Sequence, residues 1–269
     1  MISHLSREEL IREYSPSSQC PESVEYYLSR YRQLSQRARN TLKVYENLSY
    51  GDKRDNILDL FPPVQRGSPL VVFIHGGYWQ ETDHKTAAMM AENCIASGYG
   101  FAALHYTLAP EGSIDEMIGE CEKALFWLAQ ESATYGFFTA NIRLIGHSAG
   151  AHLVAMMLTR SGKRFQSAGV RIDKAILISG IYDLRPILQT PVNGALGLLR
   201  DDIEPLSPIY HLPPKNITYE IVVSEHDTTE FIRQSFYYAE LLRCNGYQAR
   251  FRIVGNHNHF DVLMADNLI

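Results

Sequence analysis

From Leu42 onward, short β-rich apolar runs alternate with amphipathic stretches of helical period, whereas the residues before about position 40 are mostly polar. Leu42–Leu48 and Ile57–Phe61 read as two antiparallel strands around a Gly51-Asp52 turn, and Leu70–His75 as a strand buried on both faces. A helix is predicted over Thr82–Ser97, with Ala87, Met90, Ala91, Cys94 and Ile95 on one side. Phe101–Tyr106 is the next strand, and Ile114–Gln130 a helix with the stripe Met117, Ile118, Cys121, Ala124, Leu125 and Leu128. Asn141–Ile145 reads as a strand running straight into a helix that starts near Ala149. Lys174–Gly180 and Ile217–Val223 are further buried strands, separated by an excursion from Arg185 to Pro214 that is long for a simple connection. A helix over Thr229–Arg243 and a strand over Ala249–Val254 close the pattern. The alternation implies an α/β fold: a mostly parallel sheet with helices on both faces and its chemistry at the carboxyl ends of the strands.

The polar N-terminal arm is helical in character. Ser6 and Glu9 form a capping-box pattern, Tyr14–Ser18 a turn, and Pro21 is placed as the first residue of a second helix running towards Arg39. With little apolar surface of its own, the arm is expected to pack on the body of one domain spanning residues 1–269.

Composition narrows the classes. A chain of 269 residues with 45% hydrophobic content can bury one large core. Its net charge of −5 offers no basic stripe for a phosphate backbone, so nucleic acid is not an expected partner. Cys20, Cys94, Cys121 and Cys244 are widely spaced and include no CxxC pair, which suggests reduced thiols. Met1–Glu9 reaches acidic residues before an apolar leader could form, and no run approaches about 18 apolar residues. A soluble cytoplasmic protein that does not span or bind a membrane is the expectation; a homodimer is left open.

Chemistry enters at Gly146-His147-Ser148-Ala149-Gly150. A serine hydroxyl is a poor nucleophile until a base takes its proton and a sharp turn presents it. Gly-x-Ser-x-Gly between an apolar strand and a helix supplies that turn, because side chains at the glycines would collide with neighbouring elements. Upstream, His75-Gly76-Gly77-Tyr78-Trp79 follows a strand, and its glycines let backbone N–H groups face a substrate oxygen. Gly77 and Ala149 are the expected oxyanion donors, with Gly76 or Tyr78 as a third.

An acid and a histidine should follow in that order. Asp227, after the strand ending at Val223, is the chosen acid, with Glu225 and Asp183 as competitors. The base lies in Gly255-Asn256-His257-Asn258-His259-Phe260-Asp261, where the pattern alone does not choose between His257 and His259. His-x-His with Asp261 could also be part of a metal site, but no second ligand cluster completes it. His105, His147 and His152 are read as hydrogen-bonded structural histidines.

Together these segments resemble the kynurenine formamidases of the α/β-hydrolase superfamily. The likeness runs from about residue 40 to 262 through His75–Trp79, Gly146–Leu153, Ser179–Leu184, Asn193–Gly197, Leu206–Pro208, Glu225–Asp227 and His259-Phe260. Hormone-sensitive-lipase-like esterases usually carry a third glycine where this chain has Tyr78, and often an Asp at the position of His147. In the family that this chain resembles the catalytic histidine directly precedes the phenylalanine, which implies His259; Asn258 stands where the family often has an acidic residue. The resemblance implies a serine hydrolase without cofactor or metal in which Ser148, His259 and Asp227 cleave a small-molecule amide or ester, a formamide above all; beside it, Tyr78 is expected to fill a small acyl pocket, and Trp79, Tyr182 and Tyr14 are the candidates for an aromatic amine side. The competing readings are a general carboxylesterase with the same triad and a hydrolase-fold protein that binds a ligand without turnover.

Overall fold

The structure, a computed structural model, describes residues 5–265 and Leu268. Met1–His4, the start of the segment read as lacking a leader, lie outside the described residues. The sheet has eight strands: β1 (Tyr45–Ser49), β2 (Ile57–Phe61), β3 (Ser68–Ile74), β4 (Gly100–Leu104), β5 (Phe137–His147), β6 (Ile172–Ile178), β7 (Thr218–His226) and β8 (Ala249–Asn258). They lie in the order β1-β2-β4-β3-β5-β6-β7-β8. β2 is antiparallel to both β1 and β4, and every later pairing is parallel.

The pleat divides the core in two. Leu70, Val72 and Ile74 of β3, with Leu144 of β5 and Leu177 of β6, face α4 (Ile114–Tyr135), α5 (Ala149–Ser167) and α8 (Thr229–Cys244). Val71, Phe73, Ile145 and Ile176 point to the opposite face, covered by α2 (Val24–Thr41) and the segment Ala87–Cys94. Runs apolar at every position, such as Leu70–Ile74, thus form central parallel strands buried on both sides. Among the described residues no helix is long and apolar enough to cross a membrane.

Two expected helix starts are corrected. Pro21 is not the first residue of the second helix: Ser23 is its N-cap, accepting from the Tyr26 N–H, and α2 begins at Val24. A serine side chain can cap the exposed N–H groups, which proline cannot do. The helix predicted from Thr82 shrinks to a 3₁₀ turn over Ala87–Met90 followed by α3 (Ala91–Ala96). Thr82 is left-handed at φ 67°, Asp83 Oδ1 accepts from the Thr86 N–H, and the carbonyls of His84 and Lys85 accept from Arg39 instead of from a helical turn. The capping box of Ser6 and Glu9 does start α1 (Arg7–Glu13).

The arm docks through that same arginine. Arg39, at the end of α2, donates to Asp59 of β2 at 2.7 and 3.0 Å, while the Asn47 N–H and the Lys85 ammonium donate to the same fully buried carboxylate. Removing one partner of a buried charge leaves the other uncompensated, which costs about 3 kcal/mol. Arg39→Met is therefore expected to lower the unfolding free energy by about that amount in urea titration; a loss below about 1 kcal/mol would show that the arm docks without this pair.

Candidate active site

Ser148 sits between β5 and α5 with φ 54° and ψ −119°, a left-handed conformation that an L-residue adopts only when its surroundings impose it. The surroundings are backbone. A Cβ at Gly150 would lie 2.5 Å from the His75 carbonyl and overlap that of Ile74, and one at Gly146 would overlap the Gly150 carbonyl. Gly76 is equally confined, with the Ser148 Cβ 3.0 Å and the His147 carbonyl 2.9 Å from where its own Cβ would stand. The loop after β3 thus lies directly on the turn after β5.

That loop is held open as well as close. Gly77, Tyr78 and Trp79 all have positive φ, at 99°, 50° and 61°, and the Gln80 and Glu81 N–H groups both donate to the Gly77 carbonyl. The N–H groups of Gly77, Tyr78 and Ala149 have no acceptor among the described residues. Beneath the loop, Thr82 Oγ1 donates to the Gly76 carbonyl at 2.9 Å and accepts from His75 Nδ1 at 2.8 Å, while His75 Nε2 meets His105 Nδ1 at 3.1 Å. Burial, reinforced by His105, lowers the His75 pKa to about 3, so this chain of rings is neutral.

The structure brings Asp227 and His259 together: His259 Nδ1 lies 3.1 Å from both carboxylate oxygens of Asp227, and both side chains are almost wholly buried. Glu225 instead accepts from the Asn256 N–H at the surface, and Asp183 pairs with Arg185 at 2.9 Å. His257 faces Asp261 at 3.3 Å, away from Asp227. Two features that sequence reasoning left out hold His259 in place. His147 Nε2 donates to the His259 carbonyl at 2.8 Å, and Asn258 accepts from the Phe260 N–H at 2.9 Å and donates to Tyr27 Oη at 2.9 Å. The sequence signal was a histidine inside the serine pentapeptide, read as a hydrogen-bonded structural residue, and an asparagine beside His259, read as a departure from the family; neither reading named these partners. Burial, then the neighbouring His259, holds the His147 pKa well below the usual imidazole range.

Ser148, His259, Gly76, Gly77 and Tyr78 face one cavity of about 400 Å³. Tyr14 lines it as expected, but Trp79 and Tyr182 do not. Trp79 is fully buried edge-on against His152 at 5.1 Å, and Tyr182 stacks on Tyr238 at 4.2 Å under Gly180. Packing partners decide their placement: His152 and Tyr238 hold the two rings in the core. The walls come largely from the arm, through Pro16, Val24, Leu28 and Tyr31, and from Phe260; the 185–214 excursion contributes Pro191 and Val192. Among the described residues no group of three or more His, Cys, Asp or Glu could hold a metal ion.

A methyl at Gly76 would press on Ser148 itself. Gly76→Ala is expected to lower kcat/KM on the order of a hundredfold with an unchanged far-UV circular dichroism spectrum, and activity within about twofold of the parent would refute this contact as a functional constraint.

Comparison with known proteins agrees with the fold. The BD-FAE family model matches residues 58–241. Kynurenine formamidase of Salmo salar is 31% identical over 272 residues, covering 96% of this chain and 91% of its own. Among solved structures, a Silicibacter sp. TM1040 protein provisionally called a thioesterase superposes with a TM-score of 0.86 at 29% identity, over 97% of both chains. An esterase from Pyrobaculum calidifontis shares the α/β-hydrolase fold at TM-score 0.74 and 19% identity, over 89% of this chain and 85% of its own.

Proposed function

Since this chain belongs to the BD-FAE family and to the family of the kynurenine formamidases, we propose that it hydrolyses N-formyl arylamines to formate and the free amine through an acyl-enzyme on Ser148. The observation that carries the proposal is the His259–Asp227 contact at 3.1 Å opening onto the same cavity as Ser148 and the glycine loop. With Nδ1–H directed at Asp227, the His259 Nε2 lone pair is free to take the proton of Ser148 Oγ as that oxygen bonds to the formyl carbon. The carbonyl oxygen becomes an oxyanion, for which the N–H groups of Gly77 and Ala149, with Tyr78 or Gly76 beside them, are the proposed donors. Collapse breaks the carbon–nitrogen bond, and His259 returns its proton to the leaving amine. Water, deprotonated by the same ring, then attacks the formyl ester, releases formate and restores Ser148.

A formyl group carries only hydrogen on its carbon, so the acyl side needs little room, while Tyr14, Tyr31, Phe73 and Phe260 give the amine side aromatic walls. The volume of about 400 Å³ suits one small-molecule substrate. Action as a single cytoplasmic domain of residues 1–269 belongs to the same proposal, supported by the net charge of −5 and by four free cysteines.

Purified protein assayed on N-formylkynurenine and N-formylaniline, beside p-nitrophenyl acetate, butyrate and octanoate, tests the reading. Formamide turnover that vanishes in Ser148→Ala is the expected result; preference for butyrate or longer with no formamide turnover would replace it with a carboxylesterase. Asp227→Asn is expected to lower kcat by roughly 10³ to 10⁴-fold, because the imidazole loses its orienting acceptor. A loss of less than about tenfold would remove Asp227 from the proposed triad.

A further inference from the structure

Two consecutive non-glycine residues, Tyr78 and Trp79, hold left-handed backbones in the loop that carries the oxyanion donors. Each such conformation is unfavourable for a residue with a side chain and persists only where other contacts fix it. Trp79 is fixed by burial and by its carbonyl, which accepts from the Ala109 N–H at 2.8 Å. Tyr78 has a different anchor: its phenol donates to the Tyr14 carbonyl at 2.5 Å, 64 residues away at the end of α1.

Tyr14 is itself held on the acid side of the site. Its hydroxyl lies between Glu230 Oε2 at 3.1 Å and Gln234 Nε2 at 2.6 Å on α8, and its ring leans on Phe231, which packs against His259 at 4.8 Å. The preceding residue repeats the attachment: the Glu13 carbonyl accepts from Thr228 Oγ1 at 2.5 Å, and its carboxylate accepts from the Glu230 N–H at 3.2 Å. Thr228 adjoins Asp227. One corner of the arm therefore touches both halves of the catalytic layout, which otherwise leave the sheet from different strands.

We infer that Tyr78 is a positioning residue: its phenol, latched to the Tyr14 carbonyl, holds the oxyanion loop in register with the loop that carries Asp227, and the Glu13–Tyr14 corner couples the two. The inference rests on the reading of Ser148 as nucleophile. A cavity-wall tyrosine would affect how tightly substrate binds; a latch for the oxyanion loop affects the transition state more than the ground state.

The experiment compares Tyr78→Phe, which keeps the ring and removes the latch, with Arg39→Met, which loosens the arm at Asp59 and leaves the latch in place. Measured quantities are kcat and KM on N-formylaniline, the Kd of aniline, inhibition by phenylboronic acid, which becomes tetrahedral on a serine oxygen, and Tm. Tyr78→Phe is expected to lower kcat and weaken phenylboronic acid together, each by about tenfold, with KM and the aniline Kd changed by less than about twofold. Arg39→Met is expected to lower Tm at least as much yet lower kcat by less than about threefold. Unchanged kcat in Tyr78→Phe, a change confined to KM, or activity falling in step with Tm in both variants would overturn the inference. Ser148→Ala separates the two readings: residual turnover there defeats the nucleophile assignment, whereas an inactive Ser148→Ala beside a fully active Tyr78→Phe defeats the latch alone.

Discussion

The first turn of α5 presses its backbone against the end of β3. Gly150 lies so close to the Ile74 and His75 carbonyls that no side chain fits between them, and Gly146 is closed against Gly150 in the same way. Parallel pairing sets this up, because Ile74 is in register with Gly146 and both strands leave the sheet side by side. The serine turn and the glycine loop after His75 are consequently one rigid body. The positive φ of Ser148, the orientation of the Ala149 N–H and the approach of Gly76 to the serine all depend on that contact. Relaxing it would separate the hydroxyl from the proposed oxyanion donors.

Electrostatics around this body is arranged by exclusion of charge. His75, His147 and His152 are completely buried, and burial is the leading cause that lowers each of their pKa values. His147 matters most, since its ring centroid is 4.8 Å from that of His259. A cationic His147 would oppose an imidazolium at His259, which the proposed mechanism requires; a neutral one can still donate from Nε2 to the His259 carbonyl and fix the loop. The imidazole inside the serine pentapeptide thus orients the proposed base while adding no competing charge. Asp227 is the anion beside His259 that would compensate such a charge.

What could be read from the sequence was the chemistry that depends on local backbone. Glycines at 76, 77, 146 and 150 are required by steric contact within two short segments, so their spacing announces the loop and the turn. Strand order narrowed the proposed acid and base to two short segments, and central strands such as Leu70–Ile74 were legible from their uninterrupted apolar runs. The rest depends on groups distant in sequence. Whether Trp79 and Tyr182 face a cavity or a core is decided by His152 and Tyr238, neither of which is near them in the chain. The helix expected from Thr82 was cut back because Arg39, more than 40 residues earlier, takes the carbonyls of His84 and Lys85. His257 and His259 carry the same local pattern, and the contact partners Asp261 and Asp227 distinguish them only once β7 and β8 are paired.

The N-terminal arm shows why such distant contacts bear on function as well as fold. The strands end at the proposed nucleophile, donors, acid and base, but much of the cavity wall comes from outside the sheet. Pro16, Val24, Leu28 and Tyr31 supply it from the arm, whose own apolar surface is too small to fold alone. Its attachment therefore relies on specific polar contacts: Arg39 to Asp59 on one side, and the Glu13–Tyr14 corner to Thr228, Glu230 and Gln234 on the other. Polar contacts of this kind fix geometry more sharply than they add net stability. A wall held by geometry can vary in the residues it presents while the rigid body at Ser148 stays the same, so substrate range can change through the arm without disturbing the bond-breaking chemistry.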